Sequence, residues 1–228
     1  MPFSIGSALC QTFSDLEVLV VGDGCTDDSQ AVVASIEDER VRWINLPSNS
    51  GHQSVPNNEG LRQARGELIA YLGHDDLWLP HHLACLTAKL AAGHDLAYAI
   101  SGLVKVDGTG MEPEPFKGKY VRGVWLPPTA IVHRAQMTEK LGGWRHYRDI
   151  AADPESDLWQ RAFDADFRFG FVPRLTSLKF AAAFRRDSYK TRLNVEQSHW
   201  TQRIDQEPDF EVVQLGLMLS AAAQAHRV

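Results

Sequence analysis

The chain has 228 residues, of which 44% are hydrophobic and 23% are charged, a size that suits one sizeable core with a helical tail. Its net charge of −6 disfavours a nucleic-acid-binding protein, because neutralising phosphates requires concentrated Lys and Arg. Three cysteines without a CxxC pair, no signal peptide and no apolar run of about 18 residues predict a cytoplasmic protein with reduced thiols and no membrane-spanning helix.

The first half of the chain alternates predicted helices and strands. Short apolar runs rich in β-branched residues predict strands at 17–21, 41–46 and 67–72. Helical spacing and capping residues predict helices at 2–11, 26–39, 54–65 and 80–92. This alternation indicates a mostly parallel sheet with helices on both faces.

The second half changes character. Its predicted strands are 96–100, 103–106, 169–172 and 178–182, and its predicted helices are 135–141, 156–165 and 210–226. A turn is predicted at 107–110, and a segment rich in Pro and Gly at 112–128 predicts a long loop region. We interpret the change near residue 110 as a change of layer within one domain.

Two carboxylates, Asp75 and Asp76, follow the predicted strand 67–72. In open parallel sheets, ligands bind beyond the carboxyl ends of the strands. The pair could therefore hold a hard divalent cation, which in turn can bridge a diphosphate. The pair could equally cap the helix that Pro80 opens, and these residues alone leave both alternatives open.

Two further acidic positions are candidates. Asp23 also follows a strand and could contact a nucleotide base or ribose, although an Asp between glycines also suits a tight turn. Glu155 lies at the start of a predicted helix, where it could be a general base, with Asp153 and Asp157 as the fallback candidates. Acidic residues at that place also compensate the helix dipole.

A compact basic cluster consists of Arg185, Arg186, Lys190 and Arg192. Guanidinium groups recognise phosphates with two parallel hydrogen bonds, but a solvated surface loop explains such a cluster as well. The nine histidines form no HExxH pattern, so a zinc site is not expected. The Gly-rich phosphate loops GxxxxGK and GxGxxG are also absent from the sequence.

Four segments in one order resemble the family 2 glycosyltransferases of the GT-A fold, over about 5–189. They are SALCQTFSDLEVLVVGDGCTDDS, GHQSVPNNEGLRQARGELIAYLGHDDLWLP, PPTAIVHRAQMTEKLGGW and PESDLWQRAFDADFRFGFVP. The resemblance implies one glycosyltransferase domain with a Rossmann-like sheet. It comprises a nucleotide-sugar-binding half at 1–108, an acceptor and catalytic half at 109–195, and a helical tail at 196–228.

The resemblance also implies roles for individual residues. Asp23 matches the second acid of the family's DDGS turn, which holds the base or ribose, and Gly22 replaces the first. Asn58 matches the N-x-G that starts the helix facing the donor. In the match to the metal-binding D-x-D-D motif, Asp75 becomes the metal ligand and Asp76 a second ligand or a sugar contact.

The remaining matches complete the implied site. Gly73 replaces the first acid of D-x-D-D. Glu155 takes the position of the family's catalytic base, with Glu in place of Asp, and Arg186 lies where the family often has a basic residue near the diphosphate. The implied reaction is a single inverting displacement. Mn²⁺ or Mg²⁺ at Asp75 and Asp76 stabilises the leaving nucleotide, while Glu155 accepts the proton of the acceptor hydroxyl.

The implied partners are a nucleotide-sugar donor, with UDP as the expected nucleotide, and a glycan or lipid-linked acceptor, as in polysaccharide biosynthesis. Peripheral association with the inner face of the membrane and homodimerisation stay open. A non-catalytic nucleotide-sugar-binding relative is the main alternative, because two acids of the family pattern are glycine here. A nucleotidyltransferase would need a Gly-rich N-terminal phosphate loop, and a phospho-acceptor signalling domain would not explain Glu155.

Family members begin with a strand that this sequence does not show, so we expect an N-terminally truncated sheet. The first residues match the helix that follows that strand in the family. The strand would lie beside 17–21, and without it that buried strand gains an unpaired edge and the base pocket loses a wall. We therefore expect weak nucleotide binding, with a Kd above about 1 mM.

Overall fold

A computed structural model of the chain describes residues 1–106, 110–114, 118–181, 185 and 195–225. The helices within these residues are α1 (Pro2–Leu9), α2 (Ser29–Ala34), α3 (Ser54–Gln63), α4 (His82–Ala91), α5 (Ala135–Leu141), α6 (Pro154–Asp164), α7 (Val195–Gln206) and α8 (Phe210–Ala225). The strands are β1 (Val18–Gly22), β2 (Val41–Asn45), β3 (Leu68–Ala70), β4 (Leu77–Trp78), β5 (Leu96–Val104), β6 (Met111–Glu114), β7 (Ile131–Arg134) and β8 (Phe169–Lys179).

The strands form two sheets. β1 and β2 pair in parallel, with Val18 opposite Val41. The other six strands form one sheet in the order β3-β7-β5-β8-β4, with β6 paired to β5. In this sheet β5 and β8 run parallel, whereas the other described pairings are antiparallel. The larger sheet is therefore mixed rather than mostly parallel, because β7 from the second half of the chain lies between β3 and β5.

The structure corrects several predicted elements. The two strands predicted within 169–182 are one strand, β8, and those predicted within 96–106 are essentially one strand, β5. The helix predicted at 26–39 is shorter and ends at Ala34. Strands β4, β6 and β7 were not predicted, because β4 has two residues, β6 lies mostly in the segment predicted as a long loop, and β7 follows that Pro-rich segment. Helix α7 was not predicted either. Most of the turn predicted at 107–110 lies outside the described residues.

The core is built around the two central strands, β5 and β8. Leu96 of β5 and Leu175 and Leu178 of β8 are fully buried. Leu86 and Leu90, one turn apart on α4, are buried in the same way. Each such side chain stabilises the fold by about 1.5–3 kcal/mol through burial. Among the described helices, none is long and apolar enough to cross a membrane.

A gap separates the two sheets. Among the described strands, β1 pairs with β2 alone and β3 pairs with β7 alone. Side chains of β1 and β3 line two cavities, of about 860 Å³ and about 750 Å³. The unpaired edge that the sequence predicts beside residues 17–21 is thus confirmed. The smaller of these cavities contains the candidate functional site.

Candidate functional site

The Asp pair lies in a tight turn that follows β3. The turn closes where the N–H of Asp76 donates to the carbonyl of Gly73, at 3.1 Å. Helices α1 and α7 hold it from outside, with a hydroxyl donated to the His74 carbonyl (3.0 Å) and a side-chain amide donated to the Asp75 carbonyl (3.3 Å). Tertiary contacts, and not the local sequence alone, therefore fix the positions of both carboxylates.

Asp76 is held by the ladder between β4 and β8. Leu77 pairs with Leu178 in antiparallel register, and extending this register by one residue places Asp76 opposite Lys179. Asp76 is 1% exposed. Its Oδ1 accepts the Phe180 N–H at 2.9 Å, and its Oδ2 lies 3.4 Å from the Lys179 Nζ. Both oxygens thus have the partners that a buried carboxylate requires.

Asp75 presents its carboxylate to the cavity, with 21% of its side chain exposed and the His74 Nδ1 4.0 Å from its Oδ1. Burial, and then repulsion from the Asp76 carboxylate, raises the pKa of Asp75 above its ordinary value. A cation beside Asp75 would relieve both effects. This electrostatic environment therefore suits the binding of a cation.

Helix α6 places Glu155 in its first turn. Pro154, directly before it, occupies the first helical position, which proline favours. The Glu155 carboxylate accepts hydrogen bonds from the side-chain amide of Gln53 (2.6 Å) and from the indole N–H of Trp125 (3.3 Å). These two donors orient the carboxylate, and its remaining lone pairs can accept a hydrogen bond from a further donor. The Glu155 carboxylate is therefore held in one orientation by two hydrogen bonds.

The two fallback acids of this helix have structural partners. Asp153 accepts the hydroxyl of Ser156 at 2.9 Å. Asp157 pairs with Arg161 at 2.7 Å, and the same guanidinium donates to the carbonyl of Gly143 at 2.8 Å. The contact of Asp153 stabilises the first turn of α6, and Arg161 connects α6 to the segment after α5.

One cavity of about 750 Å³ joins the acidic groups, a volume in the ordinary range of ligand pockets. Its acidic and basic lining residues, counting histidine, are Glu17, His74, Asp75, Asp76, Glu155 and Lys179. Burial lowers the pKa of Lys179, but the carboxylates of Asp76 and Asp75 outweigh this effect and hold the pKa above its ordinary value. The cavity therefore contains a charged ammonium among its carboxylates.

Asn58 is predicted to contact the donor, and the structure places it against the segment after α5. Its side-chain Nδ2 donates to the Trp144 carbonyl (2.8 Å), and its Oδ1 accepts the Trp144 N–H (2.9 Å). Gly143 has a φ of +74°, and a Cβ there would lie 2.5 Å from the Asn58 Oδ1. The Nδ2 and the Oδ1 of Asn58 therefore both hold the Gly-Gly-Trp segment, residues 142–144.

Asp23, predicted to hold the base or ribose, lies in the turn after β1. Its carboxylate accepts the Ser50 N–H (2.9 Å), the Ser50 hydroxyl (2.7 Å) and the Gly51 N–H (3.2 Å). Gly24 has a φ of +66°, and a Cβ there would lie 2.3 Å from the Asn49 N. The Asp23 carboxylate thus joins this turn to the loop before α3.

The predicted basic cluster is described in part. Arg186, Lys190 and Arg192 lie outside the described residues. Arg185 pairs with Glu196 of α7 at 2.7 Å and donates to the Val104 carbonyl at 3.2 Å. Arg185 therefore connects α7 to β5.

The residues present can be tested against the divalent cation that the resemblance implies. Asp75 offers a carboxylate at the cavity, whereas Asp76 is buried with both oxygens engaged. No group of three His, Cys, Asp or Glu side chains that could hold a metal occurs in the part of the chain that the structure describes. Mg²⁺ often binds through one or two carboxylates plus substrate phosphates. Asp75 therefore fits a cation that obtains further ligands from a diphosphate.

Sequence reasoning missed three residues of the site. Lys179 reaches the cavity through the β4–β8 register, which could not be read without predicting the two-residue strand β4. Gln53 and Trp125 orient Glu155 from 102 and 30 residues away along the chain. No local pattern marks these two residues, because Trp125 lies in the predicted loop region 112–128 and Gln53 lies between the predicted strand 41–46 and the predicted helix 54–65.

Comparison with known proteins identifies the family. Residues 2–147 match the model of glycosyl transferase family 2. The chain is 31% identical to the GalNAc(5)-diNAcBac-PP-undecaprenol beta-1,3-glucosyltransferase of Campylobacter jejuni, over 51% of this chain and 37% of that protein. It spans 25% and 31% of the length of two other curated relatives that it matches.

Solved structures share the fold. S. aureus TarS in complex with UDP matches with a TM-score of 0.66 at 20% identity, over 78% of this chain and 55% of that chain. The mannosyltransferase PcManGT of Pyrobaculum calidifontis, in complex with GDP-Man and Mn²⁺, matches with a TM-score of 0.60 at 16% identity, over 97% and 70%. These neighbours are GT-A glycosyltransferases, which confirms the predicted fold. The chain belongs to glycosyl transferase family 2.

Proposed function

We propose that the chain is an inverting glycosyltransferase. It moves a sugar from a nucleotide-diphosphate sugar, with UDP as the nucleotide, to a hydroxyl of a glycan or lipid-linked acceptor. The observation that carries the proposal is that Asp75 and Glu155 line one cavity beyond the end of β3. Membership of the family supports sugar transfer. The UDP complex of TarS and the undecaprenol-linked substrate in the name of the Campylobacter relative support the donor and the acceptor.

Glu155 is the proposed base. Gln53 and Trp125 hold its carboxylate by hydrogen bonds to both oxygens, so that a lone pair can accept the proton of the attacking hydroxyl. General-base catalysis of this kind contributes about 10²–10⁴-fold to the rate. The same carboxylate in an arbitrary rotamer would contribute less, because proton transfer requires hydrogen-bond reach.

Asp75 is the proposed ligand of a divalent cation, Mn²⁺ or Mg²⁺, which when bound supplies Lewis-acid stabilisation of the leaving diphosphate. Asp76 could act as a second ligand only by giving up its bonds to Phe180 and Lys179. Asp23 and Asn58, the other proposed donor-site residues, would act through the loop and the Gly-Gly-Trp segment that they hold.

The proposal is tested by the release of free nucleotide from UDP-GlcNAc, UDP-glucose and GDP-mannose with Mn²⁺ present. Glu155→Gln removes the base but keeps a similar shape, so we expect turnover to fall by about 10²-fold or more with UDP affinity within twofold of wild type. The control is Asp164→Asn on the same helix, an exposed acid paired with Arg122 at 2.6 Å, which should keep full turnover.

The alternative is a relative that binds nucleotide sugars without transferring the sugar, and Gly73 favours it because no carboxylate occupies that position of the motif. Nucleotide binding by wild type without any release of nucleotide would support this alternative. Equal turnover of Glu155→Gln and wild type would refute the assignment of the base.

A further inference from the structure

The candidate site contains a cation, the Lys179 ammonium, that has no role in the reaction proposed above. Lys179 is the last residue of β8, and its side chain is 23% exposed and lines the cavity. Its Nζ lies 3.4 Å from the Asp76 Oδ2. Asp76 is itself fixed by the Phe180 N–H at 2.9 Å. The ammonium is thus anchored at a defined place, and since no second hydrogen bond of its Nζ occurs within the described residues, its other N–H groups can be offered to a ligand.

Most of the other charges that line the cavity are carboxylates, so a fixed cation would favour the entry of an anion. Glu17, another carboxylate of the lining, pairs with Arg65 at 2.9 Å. The carboxylates of Asp75 and Glu155 face the cavity without an arginine or lysine of their own among the described ion pairs. A diphosphate beside them would be repelled unless a positive charge lay between. Among the described lining residues, Lys179 is the lysine or arginine that can supply it.

The glycine at the start of the turn makes room for this arrangement. A Cβ on Gly73 would lie 2.8 Å from the Asp76 Oδ2, the oxygen that faces Lys179. Any larger residue at this position would therefore displace the carboxylate that anchors the ammonium. The glycine at position 73, where the family pattern has an acid, thus leaves the space that the buried Asp76–Lys179 pair needs.

We propose that Lys179 binds the diphosphate of the donor and serves as a fixed cation of the site, beside a divalent metal or without one. This inference rests on the proposed function for the identity of the ligand. Asp76 is then a positioning residue that holds the ammonium toward the cavity. A lysine acts on phosphate as a point charge, so the contact needs proximity rather than the planar geometry of an arginine.

The test measures binding of inorganic pyrophosphate to the 228-residue chain by calorimetry, once with EDTA and once with Mn²⁺. Wild type should bind pyrophosphate in both conditions. Lys179→Met keeps the length of the side chain and removes the charge, so its affinity in EDTA should fall about 10- to 100-fold. The loss should be smaller with Mn²⁺. Lys179→Arg, which keeps the charge, should stay within about fivefold of wild type.

The matched control is Lys105→Met, because Lys105 also pairs with a carboxylate, Glu112 at 3.2 Å, outside this cavity. It should bind pyrophosphate as wild type does. Thermal melting checks that each variant is folded, and Lys179→Gln replaces Lys179→Met if the latter is not. Binding by the folded neutral variant within twofold of wild type would overturn the proposal, as would equal losses for the neutral variant and Lys179→Arg, or a wild type that binds no pyrophosphate.

The two proposals fail in different ways. Pyrophosphate binding that depends on Lys179, in a chain that transfers no sugar from any donor, would overturn the proposed function and leave the inference standing. Sugar transfer that depends on Glu155, with pyrophosphate affinity unchanged in the neutral Lys179 variant, would overturn the inference alone.

Discussion

Asn58 offers a sharp test, because its predicted role and its observed contacts lead to different results. The resemblance assigns it to the donor, whereas its amide forms two hydrogen bonds with the backbone of Trp144, at 2.8 and 2.9 Å. Trp144 is 3% exposed, and its indole N–H donates to the Tyr71 hydroxyl at 3.0 Å. The amide thus fixes the backbone of a residue that belongs to the core.

Asn58→Ala would remove both bonds and leave a buried N–H and a buried carbonyl without partners. An unsatisfied buried group costs about 1–3 kcal/mol, so the two together should lower the free energy of unfolding by about 2–6 kcal/mol. A domain of this length loses about 2–4 °C of Tm per kcal/mol. Asn58→Asp should also destabilise the fold, because it keeps the acceptor for the Trp144 N–H but places an oxygen against the Trp144 carbonyl.

The measurement is unfolding in urea at 25 °C, followed by tryptophan fluorescence and repeated with Asn57→Ala. Asn57 lies next to Asn58 on α3 and lines the cavity, so this control removes an Asn from the same helix without breaking the contact to Trp144. The control should change the free energy of unfolding by less than about 0.5 kcal/mol. An Asn58→Ala variant of wild-type stability that no longer binds UDP would refute the reasoning and assign Asn58 to the donor.

Two further predictions concern charge and the sheet edge. The folded state holds a proton on Asp75 more tightly than the unfolded chain does, so folding stability falls as pH rises from about 4 through the raised pKa. Asp75→Asn should therefore raise Tm at pH 7 and have no effect below about pH 4; a lower Tm at pH 7 would contradict this account. Hydrogen exchange should be faster in Val18–Gly22, which pairs on one side, than in Leu96–Val104, which pairs on both. Equal protection of the two strands would show that the edge of β1 is covered.

The sequence predicted the parts of the fold that depend on local pattern. The first half has its strands at β1, β2 and β3 and its helices at α1, α3 and α4, because apolar runs and caps act over a few residues. The Asp pair was located for the same reason, since the end of a buried strand is a local feature. The positions of α5 and α6 follow from helical spacing and from the acidic residues at the start of α6, although α6 begins two residues earlier than predicted, at Pro154.

What the sequence could not predict depends on pairing between distant segments. Strand β7 lies between β3 and β5, with His133 opposite both Ile69 and Leu96, although its own sequence follows a Pro-rich segment. The two short strands expected within 169–182 merge into one, because β8 pairs with β5 along most of its length despite register shifts at Ile100. Local propensity does not contain this information, since the neighbouring strand decides it.

The candidate site shows the same division at the level of chemistry. The carboxylates are placed by strand ends and helix starts, but the contacts of Asp76 and Glu155 come from partners far along the chain. Asp76 meets Lys179 across 103 residues, and Glu155 meets Gln53 across 102. A D-x-D-like motif therefore specifies where the acids lie and not which of them faces a ligand. In this chain the register of β4 against β8 pairs the buried Asp76 with Lys179 and Phe180, whereas the Asp75 side chain stays 21% exposed at the cavity.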